Sequence, residues 1–157
     1  MANITTLDLK DRMGSIAEDI NSKFPNNKVK ALINVVYTAN WIKSHQNEFF
    51  KTFGISPQQF NILRILKGAK EPLKVQVIKD RMIERSPNAT RLMDKLCAKE
   101  LIERIPCPED RRVVHIAITQ NGLKLLEVIS NDMTEDLLEN LTEKEAGQLS
   151  DLLDKIR

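Results

Sequence analysis

Apolar residues recur at mostly three- and four-residue intervals from Lys28 to Phe53, at Leu32, Val36, Ala39, Ile42, Phe49 and Phe53. That period predicts one long helix closed by Gly54. A helix of this length needs a partner along it to be stable. Ahead of it, Leu7, Leu9, Met13, Ile16 and Ile20 are spaced for a short helix, which the run Asn21 to Asn27, with Pro25 inside it, breaks. Residues 1–27 are therefore read as an N-terminal arm or short helix. A second helix start follows, with Ser56 as N-cap, Pro57 at the first helical position and Gln59 completing a capping box. Ile55 and Phe60 flank it as a hydrophobic staple, and Ile62, Leu63, Ile65 and Leu66 carry the helix to Gly68.

Another helix is predicted from Leu73 to Met82, with Val75, Ile78 and Met82 inward. After the turn Ile83-Glu84-Arg85, Ser86-Pro87 opens a helix reaching Lys99. Leu92, Met93 and Leu96 form its inner face, while Asn88, Thr90, Arg91, Asp94 and Lys95 are outer or flanking. Two short helices joined by a tight turn make a helix-turn-helix candidate. The period then changes to alternation over Leu101–Cys107 and Val113–Thr119, which predicts a hairpin with a charged tip. Helical spacing returns after Thr119 and Gly122, at Leu125, Leu126, Ile129, Met133, Leu137 and Leu138. Thr142 and Glu145 form the capping box of a last helix, with Leu149, Leu152, Leu153 and Ile156 as its stripe. The expected fold is mainly α with a small β-hairpin wing.

The 157 residues suffice for one domain with a sizeable core. The net charge of +2 is unevenly spread. Residues 70–112 carry eleven Lys/Arg and eight Asp/Glu, a balance of +3, while residues 120–157 carry four and nine, a balance of −5. A basic middle suits phosphates, with the acidic tail facing elsewhere; ordinary scatter of solvated charge fits these counts equally well. No apolar run approaches the ~20 residues that span a bilayer, and the first residues do not read as a signal peptide. Cys97 and Cys107 lack zinc-finger spacing, so a cytoplasmic protein is the simplest reading. His45 and His115, the only histidines, form no metal-ligand motif. With no phosphate-binding glycine loop, nucleophile elbow or carboxylate pair in a catalytic frame, neither catalysis nor a cofactor is expected.

An α-helix fits the major groove of DNA, where each base pair shows a distinct set of donors and acceptors. Asn88 suits adenine, Arg91 guanine or phosphate, and Thr90 a base edge or phosphate. Lys95 lies further along, toward the backbone. Ser86 helps place helix-start N–H groups beside a phosphate. Residues 86–99 alone fit an ordinary amphipathic helix equally well. At the hairpin tip, Arg111 and Arg112 suit a narrow minor groove, and Asp110 suits a bidentate pair that orients an arginine. The alternative there is a solvated turn.

RLMDKLCAKELIER at 91–104 and DRRVVHIAITQNG at 110–122 resemble the MarR family of winged helix-turn-helix transcription regulators. The second segment contains the family's wing motif and strand-to-helix ending, with Ile118 in place of the more usual leucine. The resemblance covers about residues 28–157. It implies an intertwined homodimer, with 28–54 and 120–157 as the dimerisation region and 55–119 as the DNA-binding region. It further implies that 86–99 reads the major groove of a pseudo-palindromic operator in double-stranded DNA. Arg112 would enter the minor groove, positioned by Asp110, with Arg111 near the backbone. Repression by blocking promoter access is the implied outcome.

Many proteins resembling this family respond to small aromatic or phenolic effectors bound between the dimerisation and DNA-binding parts. Tyr37, Trp41, His45 and Phe60 are the candidates here; core and interface packing is their alternative use. Some relatives sense oxidants through a cysteine near the first long helix, where this chain has none. Cys97 and Cys107 would need a lowered thiolate pKa for such a role. Two departures stand out: Ile83 and Glu84 where the family often has glycine, and Lys99-Glu100 for its common Lys-Gly. A side chain in left-handed geometry costs about 1 kcal/mol. Either the chain bears that cost or its turn differs. The alternative function is a winged-helix protein-interaction module that binds an acidic partner without specific DNA binding.

Overall fold

The computed structural model describes residues 14–84, 88–107, 113–132 and 137–157. The chain divides into two compact units, Met1–His45 and Gln46–Arg157. In the first, helix α1 is a single turn, Ile16–Asp19, opened by a Ser15 N–H bond to the Glu18 carboxylate at 2.7 Å. That bond holds the Glu18 carboxyl below its ordinary pKa. Helix α2 spans Asn27–Thr52. Asn26 Oδ1 accepts the Val29 N–H at 3.0 Å, so the Pro-Asn-Asn run expected only to break a helix also caps the next one, one residue earlier than expected.

Phe53 stands beyond α2 in a turn, and the chain closes on Gly54 at φ 69°. The Ile55 N–H reaches the Phe50 carbonyl at 3.2 Å and the Gly54 N–H reaches Lys51 at 3.0 Å, the bond pair of a Schellman stop. Helix α3, Pro57–Ala69, starts as expected, with Ser56 Oγ accepting from Gln59 N–H at 3.2 Å and Gln59 Oε1 accepting from Ser56 N–H at 3.0 Å. It ends on Lys70 in the left-handed conformation, not at Gly68, which lies inside the helix.

The helix expected over Leu73–Met82 is shorter. Leu73–Lys74 form strand β1, and α4 spans only Val75–Arg81. Leu73 and Lys74 pair with Ile116 and His115, so backbone partners distant in sequence win over the local helical period. Helix α5 covers Ala89–Ala98, inside the expected 86–99. Strands β2, Ile102–Pro106, and β3, Val114–Ile118, pair antiparallel, with Ile102 opposite Ile118 and Pro106 opposite Val114. The expected two-stranded wing is therefore part of a three-stranded sheet in the order β1-β3-β2.

Helix α6 spans Gln120–Asp132, and Leu137 and Leu138, expected to continue it, lie in a turn. Met133 lies outside the described residues. Helix α7, Glu143–Asp154, has its expected capping box: the Thr142 N–H donates to Glu145 at 2.9 Å and the Glu145 N–H to Thr142 Oγ at 3.3 Å. One apolar core of the second unit joins α3, α4, α5, the sheet and α6 through residues such as Ile62, Leu63, Ile78, Met93, Ile116 and Ile129. Among the described residues, no helix is long and apolar enough to cross a membrane.

Candidate nucleic-acid interface

Helix α5 is anchored by Ala89, Met93 and Leu96, all fully buried. Leu92, expected inward, is half-buried. On the opposite side Thr90, Arg91, Asp94 and Lys95 are exposed, so the expected polar face exists and is held on a packed base. Asn88 sits one residue before the helix, its carbonyl accepting the Leu92 N–H at 3.1 Å. Ser86 lies outside the described residues, as do Asp110, Arg111 and Arg112. The described part of the wing runs to the bond from the Cys107 N–H to the Val113 carbonyl at 3.0 Å.

The segments before and after α5 make contacts that sequence reasoning missed. Before it, Asn61 Oδ1 accepts the Ile83 N–H at 3.0 Å and Gln58 donates to Glu84 at 2.8 Å, so α3 holds the turn where the family often has glycine. After it, Glu100 adopts φ 57°. The Leu101 N–H bonds to the Leu96 carbonyl at 3.0 Å and the Glu100 N–H to Cys97 at 2.9 Å, a second Schellman stop with glutamate where glycine is usual. The chain thus bears the left-handed cost. The buried side chains of Leu96 and Leu101 stand at the two positions whose apolar contact accompanies this motif. The Lys99 ammonium donates to the Gly54 carbonyl, joining the two stops.

A further missed residue is Arg104 on β2, which pairs with Asp94 of α5. Arg104 lies opposite Ile116 and two residues from Ile102, and both isoleucines are buried. Strand alternation therefore puts it on the core-facing side of the sheet, toward α5. That alternation, visible in Ile102-Glu103-Arg104, was the available signal. Arg104 also lines a cleft of about 370 Å³ with Lys74, Val75, Thr90, Val113 and Val114.

The four aromatic candidates fall in both units. Tyr37, Trp41 and His45 succeed one another on α2, with the Trp41 and His45 rings 4.3 Å apart and His45 Nδ1 2.9 Å from the Trp41 carbonyl. In the second unit Phe60 stacks on Phe50 at 4.5 Å against the core. Cys97 and Cys107 are half-buried free thiols.

The sequence profile of the MarR family matches residues 55–114, from just before α3 to the first residue of β3. The HTH-type transcriptional regulator MhqR of Bacillus subtilis is 33% identical over 120 residues, covering 73% of this chain and 81% of that protein. The crystal structure of a mutant MarR from Escherichia coli complexed with operator DNA superposes with a TM-score of 0.71 at 27% identity, covering 85% of this chain and 99% of that one. A MepR–DNA complex from S. aureus gives 0.70 at 25% identity, covering 80% and 94%. The MarR-family homologues are transcriptional regulators, not enzymes. The chain belongs to the MarR family of winged helix-turn-helix transcription regulators.

Proposed function

We propose that this regulator is a homodimeric repressor acting on a pseudo-palindromic operator in double-stranded DNA, in the cytoplasm. Helix α5 lies in the major groove with Asn88, Thr90 and Arg91 toward the bases and Lys95 toward the backbone. Ser86 supports the helix start at a phosphate, Arg112 enters the minor groove, Asp110 orients it, and Arg111 stays near the backbone. The observation that carries this is the exposed polar face of α5 on a fully buried apolar base. A reading helix must be rigid on one side and free on the other. Dimerisation is supported by apolar side chains more than half exposed on the terminal helices: Leu32 (63%) and Val36 (55%) on α2, and Leu152 (58%) on α7.

Release is proposed to follow binding of a small aromatic or phenolic effector on the Tyr37–Trp41–His45 face of α2. Trp41 is the chain's single tryptophan, so its fluorescence reports occupancy directly. Titration of an aromatic panel against operator-bound protein tests this step. No saturable change in either fluorescence or DNA affinity counts against it.

Footprinting on genomic fragments at low and moderate salt tests the main reading. A protected site with two-fold symmetry is expected. Arg91→Ala should then weaken binding by roughly 1–3 kcal/mol if a base contact is lost, and Arg112→Ala should weaken it while the dimer persists. Absence of specific protection at both salts would favour a winged-helix module for an acidic protein partner.

A further inference from the structure

The exposed face of α5 contains a carboxylate. Asp94 is one turn from Thr90 and Arg91 and adjacent to Lys95, the side chains assigned above to DNA. An unpaired carboxylate there would repel phosphate oxygens and cancel one of the two neighbouring cations. It is not unpaired. Arg104 projects from β2 and donates through Nη2 to Asp94 Oδ1. The two side chains remain 47% and 55% exposed. A pair so open to water contributes little to folding, because screening and side-chain ordering offset most of its attraction. Its weight falls instead on the electrostatics of this surface.

Resting on the DNA-binding reading above, we propose that Arg104 is a positioning residue for operator binding, acting through Asp94. It neutralises the one acidic side chain of the reading face and turns that carboxylate toward the sheet. Arg104 is already engaged and leans into the cleft beside Thr90 and Val114. Its role is to free Arg91 and Lys95 to act on phosphates and bases.

The test is a double-mutant cycle on the full-length dimer, using a genomic duplex selected by the wild-type protein. Arg104→Ala is expected to weaken binding about tenfold, the scale of one uncompensated charge near a phosphate at a protein surface. Asp94→Asn in that background should restore affinity to within about twofold, together with the wild-type salt dependence. Arg104→Lys, which keeps the charge, should bind nearly as the wild type does and covers the case in which Arg104→Ala misfolds. If the double variant stays weak, with a salt slope shallower by about one, Arg104 itself touches a phosphate and the proposal falls. Unchanged binding by Arg104→Ala also overturns it. Arg91→Ala run in parallel separates the two levels. If it weakens binding while Arg104→Ala does not, only this inference fails; if no duplex is selected, the DNA-binding reading fails with it.

Discussion

Replacing Gly122 by alanine tests the junction that joins the wing to α6. A Cβ at Gly122 would stand 2.2 Å from the Leu101 carbonyl oxygen and 2.8 Å from Ile118 Cγ1. The Leu101 backbone cannot give way easily. Its N–H is bound to Leu96 at 3.0 Å, and its carbonyl accepts the Thr119 N–H at 3.1 Å. Thr119 Oγ in turn donates to the Glu100 carbonyl at 2.6 Å and accepts the Gly122 N–H at 3.1 Å. One methyl group therefore presses on the end of α5, the start of β2 and the start of α6 together. Overpacking costs roughly 1–3 kcal/mol, and a weakened Leu101 bond adds about 1 kcal/mol. Removing a helical glycine returns up to about 1 kcal/mol. The net loss is about 1–3 kcal/mol, or roughly 3–10 °C in melting temperature for a chain of this size. Thermal unfolding followed by circular dichroism, at fixed protomer concentration, measures it. Gly68→Ala is the matched control, since nothing stands within 4 Å of its added Cβ, and it should stabilise by up to about 1 kcal/mol. Gly122→Ala melting at or above the wild type would refute the steric account.

Two other substitutions test local devices. Glu100→Gly should raise the urea midpoint by the equivalent of about 0.5–1 kcal/mol, because glycine removes the left-handed cost at φ 57°; an unchanged or lower midpoint would mean that the Glu100 side chain contributes as much as the strain takes away. Glu145 has its pKa lowered by accepting the Thr142 N–H and then the Thr142 hydroxyl. Its folded pKa lies below the unfolded one, so this stabilisation is present above the ordinary carboxylate range and is lost as pH falls through the lowered value. The melting-temperature gap between wild type and Glu145→Gln should therefore be widest near neutrality and shrink on acidification; a gap independent of pH would contradict it.

Devices that close within a few residues were legible in the sequence. Ser56 with Gln59 and Thr142 with Glu145 form the expected boxes, because donor, acceptor and helix start lie within one turn. The inner and outer faces of α5 were legible for the same reason. Met93 and Leu96 go in while Thr90, Arg91 and Lys95 stay out, as the helical period requires. Strand β1 was not legible, because Leu73 and Lys74 read as helix until Ile116 and His115 arrive from the far side of the wing. Arg104 was not singled out, because its partner Asp94 reaches it only through the way α5 packs against the sheet.

Glu100 shows why the two kinds of information differ. Locally a glutamate disfavours the left-handed stop, and the family's usual glycine makes its presence look like a break in the pattern. The structure keeps the stop because distant partners hold both sides of it. Thr119 holds the Glu100 carbonyl, Gly54 holds the neighbouring Lys99 side chain, and Leu101 is buried beyond. A strained residue persists where its surroundings over-determine it. These surroundings fix the end of α5 relative to Gly54, α6 and the sheet. The orientation of the proposed reading face thus depends on residues outside that face, and substitutions there should change binding through the angle of the helix.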